Sequence, residues 1–161
     1  VSSVEDSISG TLGSNNCQST DMYGWICVNS DYDYTNYPLR EISLQEYRSY
    51  GASAMLVGKN QGYSIVCDTH SMYPTFTCDD VLVVRKIDDA YNIKVGIVVM
   101  AARANDYQEW DTHFVLHRII DKVYIDGKLL YITKGDNNDY ADEYKWQPYQ
   151  MTHEVIGKLV K

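Results

Sequence analysis

No stretch of this sequence stays apolar for long enough to cross a membrane as a helix. The longest apolar runs, residues 52–57 and 96–102, fall far short of the ~20 residues that a spanning helix requires. Basic residues are also scarce: 14 Lys and Arg stand against 22 Asp and Glu, for a formal net charge of -8. Phosphate binding needs clustered cations. No such cluster exists, which argues against nucleic acid as a partner, and the acidity reads as an ordinary solubility feature. None of the four cysteines stands in a Cys-x-x-Cys pair, and no histidine lies near them at zinc-ligand spacing, which argues against a metal site. Neither an initiator Met nor a secretory signal opens the sequence at Val1. The chain therefore reads as a processed product or a segment of a longer one, soluble as it stands. No internal repeat or low-complexity tract is visible.

What is present fits one domain, or one domain with an extension. The 161 residues, 45% of them hydrophobic, can bury a normal core without help from metal or disulfides. The cysteines nevertheless fall in two local pairs, Cys17 with Cys27 and Cys67 with Cys78. Read as disulfides, they point to an extracytoplasmic setting, and the second would close a loop around Ser71. The alternative is four buried thiols. Fifteen tyrosines also suit an outer surface that meets other surfaces.

Residues 1–42 are polar, rich in Ser, Asn, Asp and Tyr, and broken by Gly10 and Gly13. They read as an N-terminal extension with one strand, residues 22–28. Residues 43–161 read as the domain proper. Ser43 with Glu46 fits a capping box, opening a helix that runs to about Tyr50 and stops at Gly51. From Ala54 on the signals are β: residues 54–57, 63–67, 81–85, 97–101, 114–120, 122–125, 128–133 and 155–160. Asp126-Gly127 is the strongest hairpin signal. The expected fold is mostly β, an antiparallel domain that is barrel-like or built of two packed sheets, with a short helix.

Three stretches carry candidate chemistry. Ser71 sits where the expected strand over residues 63–67 gives way to a turn, and Pro74 blocks any regular continuation. Serine is a poor nucleophile near neutral pH and needs a base. His117, on the strand over residues 114–120, is the best candidate. His70 would point away from Ser71 in an extended backbone, and His113 and His153 lie in polar, loop-like surroundings. Asp136, Asp139 and Asp142 follow a strand in a segment rich in Gly and Asn, and one of them would orient the imidazole. Each feature also has an ordinary structural reading: a Ser-x-x-Pro turn, a strand histidine, a solvated turn with Asx hydrogen bonds.

Taken together, Ser71-Met72-Tyr73-Pro74-Thr75, Val81-Leu82-Val83-Val84, Gly96-Ile97-Val98-Val99, His117-Arg118-Ile119-Ile120 and Thr133-Lys134-Gly135-Asp136-Asn137-Asn138 resemble the type I signal peptidase family. The five blocks stand in the family's order over residues from about 63 to 161. The likeness is to its archaeal and endoplasmic-reticulum branch, where His-Arg stands in place of a catalytic lysine. The resemblance implies Ser71 as nucleophile, His117 as general base, Asp142 as the triad carboxylate and Asp136 as a second acidic position supporting the site. It implies an oxyanion hole from the Ser71 N–H and the Thr69 hydroxyl, no cofactor, and a largely antiparallel β fold. The sequence departs from the family in four places. Thr69-His70 replaces Ser-Gly, Asp79-Asp80 replaces Gly-Asp, the Gly96 block lacks its Asp, and no membrane anchor precedes the serine.

The function expected on these grounds is a serine endopeptidase that cleaves extended peptides after small residues, acting on a peptide or precursor protein. A membrane would be a partner only through an anchor missing from this chain. A different class of function is an extracellular structural or assembly subunit on the same fold with little or no activity, acting as a homo-oligomer or within a larger assembly. A self-cleaving repressor-type Ser/Lys protease would need a lysine where His117 stands and a DNA-binding region, and neither is present. The enzyme is preferred because all three triad residue types survive.

Overall fold

The computed structural model describes residues 15–20, 24–29, 32–59, 70–105 and 108–161, with the backbone alone for 103–113 and for 15–29 apart from Cys17. The strand expected over residues 63–67 lies outside these, as do Thr69 and Cys67.

Nine strands are present among the described residues: β1 (Asn15–Thr20), β2 (Gly24–Asn29), β3 (Glu41–Ile42), β4 (Ala54–Val57), β5 (Leu82–Lys86), β6 (Val98–Asn105), β7 (Gln108–Ile125), β8 (Lys128–Lys134) and β9 (Met151–Leu159). Seven of them form one sheet in the order β4-β5-β9-β6-β7-β8, with β3 added parallel to β9. All other pairs in it are antiparallel. The mostly antiparallel β fold expected from the sequence is therefore what the chain adopts. The finer expectation is corrected: the main sheet is a single open one, since no pairing joins β4 to β8 among the described residues. β1 and β2 form a separate two-stranded sheet.

The apolar runs show why this sheet forms. In β6, Val98 and Met100 pack into one core cluster with Val57, Leu82 and Val84, while Val99 and Ala101 enter another with Ile119, Tyr131 and Trp146. Likewise in β8, Leu129 and Tyr131 face that second cluster and Leu130 and Ile132 a third. A strand covered on both faces reads as a continuous apolar run rather than an alternation. Bulges in the β5–β9, β6–β9 and β7–β8 ladders supply local bending. β7 is one strand of 18 residues, not the two shorter ones expected. Its β7–β8 turn has Asp126 at φ 51 and Gly127 at φ 79, the paired positive values of a type I′ hairpin.

The one α-helix among the described residues, α1 (Leu44–Ser49), is capped at Ser43, whose Oγ accepts from the Glu46 N–H at 3.0 Å. The reciprocal half of the expected capping box is replaced. The Glu46 carboxylate is held by Arg40 on both oxygens and by the Tyr50 hydroxyl at 2.7 Å. Residues 40–42 run along β9. Ile42 is fully buried, the Arg40 carbonyl accepts from the Lys158 N–H, and the rings of Tyr32 and Tyr37 stack at 5.3 Å. Cys17 and Cys78 are each held in a disulfide. Cys27 lies directly across the β1–β2 ladder from Cys17.

Candidate active site

Residues 70–76 form a compact turn. The Tyr73 N–H donates to the His70 carbonyl, and the Thr75 and Phe76 N–H groups donate to the Met72 carbonyl; the Tyr73–Pro74 peptide is cis. Met72 and Phe76 are buried in the core cluster over β5 and β6, about 2 kcal/mol of apolar burial each. These two anchors leave Ser71 half-buried at the surface. His70 is exposed and has φ 51. This left-handed conformation costs a side-chain-bearing residue about 1 kcal/mol. In compensation the His70 carbonyl accepts from the Asn137 side-chain amide and the Tyr73 N–H, both at 3.1 Å.

The loop after β8 is fastened to this turn. The Asn137 N–H donates to the Ser71 carbonyl at 2.8 Å, and the Asp136 N–H points at the Met72 sulfur, 3.4 Å away. Gly135 makes the approach possible: a Cβ there would lie 2.7 Å from the Ser71 carbonyl oxygen and 3.0 Å from the Ser71 Cβ. Among the described residues no acceptor takes the Ser71 N–H.

His117 lies on β7, opposite Val99 of β6. Its Nε2 is 3.0 Å from the Ser71 Oγ and its Nδ1 is 2.6 Å from Asp142 Oδ2. Both side chains of the His117–Asp142 pair are largely shielded from solvent, at 14% and 20% exposure. The structure thus brings Ser71, His117 and Asp142 into one hydrogen-bonded line, although 46 residues separate the first two and 25 the last two.

Asp136 is not in that line. Its carboxylate is gripped by the Arg118 guanidinium at 2.9 and 2.8 Å and by the Thr75 hydroxyl. Arg118 also donates to the Gly96 carbonyl at 2.7 Å and to the Tyr37 carbonyl at 3.0 Å. The ion pair is buried, with side-chain exposures of 1% and 2%, and both partners are hydrogen-bonded, the condition under which a buried pair is tolerated. Successive residues of β7 point to opposite faces, so His117 serves the site while Arg118 fastens the Ser71 turn, the β8 loop and residues 37 and 96 beneath it.

Of the other candidates, Asp139 is exposed, the His113 side chain lies outside the described residues, and half-buried His153 on β9 has Nδ1 3.0 Å from its neighbour's Thr152 hydroxyl. Two residues that sequence reasoning passed over stand behind Asp142. The Thr133 Oγ1 lies 2.7 Å from Asp142 Oδ2, and Trp146 Nε1 donates to Thr133 Oγ1 at 2.9 Å. Only the fold places them: Thr133 is on β8 at the register point opposite Ile119, two residues along β7 from His117 and so on its face. Lys145, nearly buried, donates from Nζ to the Asp142 carbonyl. Burial pushes its ammonium below the ordinary lysine value, against the opposing pull of Asp142 and Glu143. Among the described residues no group of three or more His, Cys, Asp and Glu side chains could hold a metal ion.

No protein-family model, curated protein or solved structure matches this chain.

Proposed function

We propose that this chain is a serine endopeptidase that works by Ser-His-Asp acyl transfer, as its resemblance to type I signal peptidases would imply. One observation supports this most: an imidazole with a serine hydroxyl on one ring nitrogen and a carboxylate on the other. That arrangement defines the triad by role rather than by fold. Ser71 Oγ bonds to the scissile carbonyl carbon as its proton passes to Nε2 of His117, and the carbonyl π pair moves onto oxygen. Collapse of the intermediate breaks the C–N bond, and His117 returns the proton to the departing amine. A water molecule repeats the sequence on the acyl-enzyme, releasing the acid and restoring Ser71. The Ser71 N–H, which no acceptor takes among the described residues, would serve the oxyanion, with the Thr69 hydroxyl as the second donor; one such donor is worth about 3–4 kcal/mol in related sites. The substrate is an extended peptide with small residues before the cleaved bond, added as a strand beside the Ser71 turn. The disulfide-bonded cysteines favour an extracytoplasmic location.

The test is cleavage of a peptide carrying a small-x-small motif before the scissile bond. Wild type is expected to cleave, with Ser71→Ala and His117→Ala each reduced by at least about 10^4-fold, and an alkyl fluorophosphonate is expected to label wild type at Ser71 alone. A wild-type rate equal to that of the alanine variants, with no labelling, would instead favour an assembly subunit on this fold, a role to which exposed Tyr73, Tyr91, Tyr124, Tyr140 and Tyr149 would lend themselves.

A further inference from the structure

Asp142 does not hold His117 unaided. We propose that Thr133 and Trp146 are positioning residues that fix the carboxylate of Asp142 and, through it, the tautomer of His117, by hydrogen bonds whose donors converge on Asp142 Oδ2. The inference rests on the peptidase reading for its kinetic consequence, but not for the proton positions themselves.

The convergence follows from donor chemistry. An indole nitrogen can only donate, so the 2.9 Å contact from Trp146 Nε1 makes Thr133 Oγ1 an acceptor. The Thr133 hydroxyl keeps one proton of its own, and the group facing it at 2.7 Å is Asp142 Oδ2. A carboxylate oxygen accepts, so the hydroxyl proton lies between the two. The same Oδ2 faces Nδ1 of His117 at 2.6 Å, and it can only accept there as well. The neutral ring therefore carries its proton on Nδ1, and the Nε2 lone pair is turned toward the Ser71 hydroxyl at 3.0 Å. This is the tautomer that a base must have before it can take the serine proton.

The chain begins at a fixed point. Trp146 and Thr133 are each 1% exposed. The Trp146 backbone is paired with Tyr131 of β8 in both directions, at 2.8 and 3.0 Å, and its ring packs against Tyr144 with centroids 4.6 Å apart. Asp142 is tied to the same strand by its own N–H, which donates to the Thr133 carbonyl at 2.8 Å. Donor, relay and carboxylate are thus all referred to β8, while His117 is carried by its neighbour β7.

The experiment reads the tautomer directly. Histidine 15N resonances are recorded in the full chain at a pH where the ring is neutral, with His117 assigned by its loss in His117→Gln. Wild type is expected to show Nδ1 protonated and Nε2 bare. Thr133→Val, which keeps the shape and removes the hydroxyl, is expected to mix the two tautomers and to lower kcat about tenfold, the usual consequence of losing one buried hydrogen bond, with KM unchanged. Thr133→Ser is expected to restore both. Trp146→Phe frees the Thr133 hydroxyl to rotate and is expected to give an intermediate mixture. A Thr133→Val protein with the wild-type 15N pattern, or a Thr133→Ser protein as impaired as Thr133→Val, would overturn the relay. A wild-type pattern in Trp146→Phe would remove Trp146 from it. If Thr133→Val fails to fold, Thr133→Ser and Trp146→Phe still decide. A wild-type chain with the Nδ1–H tautomer but no cleavage of peptide would sink the peptidase reading and leave the relay standing.

Discussion

Arg118 is the clearest case of one side chain holding several segments at once. Its guanidinium meets Asp136, the Gly96 carbonyl and the Tyr37 carbonyl, groups from three separate stretches of chain, and Asp136 in turn holds Thr75 of the Ser71 turn. Arg118→Met would leave the Asp136 carboxylate buried without its countercharge, a change that costs about 3–5 kcal/mol. A urea denaturation midpoint should fall accordingly. Adding Asp136→Leu removes the stranded charge and should recover a good part of the loss. If the single and double variants are equally destabilised, the pair is not what stabilises this region.

At the scale of the element, β9 crosses the middle of the sheet between β5 and β6, and the register sets His153 opposite Lys86 of β5. Burial, with the Lys86 charge adding to it, holds the His153 imidazole below its ordinary value. A folded value below the unfolded one means that the unfolded chain binds the proton more readily. Stability from this source is fully present above the ordinary histidine range and is lost as pH falls through the folded value. The thermal midpoint of wild type should therefore drop on acidification below about pH 6.5, and His153→Gln should drop less over that interval. Identical pH profiles would exclude this origin.

The elements differ in how legible they are in the sequence, and the cause is local. β6 and β8 announce themselves because both faces are covered, so Val98 to Ala101 and Leu129 to Ile132 are apolar without interruption. Asp126-Gly127 demands a hairpin because two positive φ values in succession need such residues. β1 offers only Asn, Gln, Ser and Thr around Cys17, with no alternation to detect, and β3 is two residues long. The length of β7 is hidden by Asp121 and Lys122, which follow the bulge beside Ile120 and break the apolar pattern. In the candidate site, the serine, histidine and Asp142 stand out as residue types that can move protons. Thr133 and Trp146 do not, since nothing about a strand threonine or a late tryptophan reveals a partner until the fold places them together.

At the scale of the whole molecule, disulfides add to what the core supplies. Cys17 and Cys78 carry no free thiol, and the β1–β2 register sets Cys27 against Cys17. Non-reducing peptide mapping should join Cys17 to Cys27 and Cys67 to Cys78. Reduction should lower the thermal midpoint, by an amount corresponding to about 2–4 kcal/mol per bridge removed, and a midpoint insensitive to reductant would show that the core alone sets the stability. The second bridge would close a loop containing Ser71, so reduction should impair cleavage before it unfolds the sheet.

Gly135 has a consequence for how such a molecule can change over generations. With no room for even a methyl group between it and the backbone of Ser71, that position has no neutral alternatives. At position 70, by contrast, a histidine occupies a left-handed conformation where glycine would sit more easily. Residue 135 can only remain bare or force the serine out of line. Descendants of this chain that keep the nucleophile must inherit the empty space behind it.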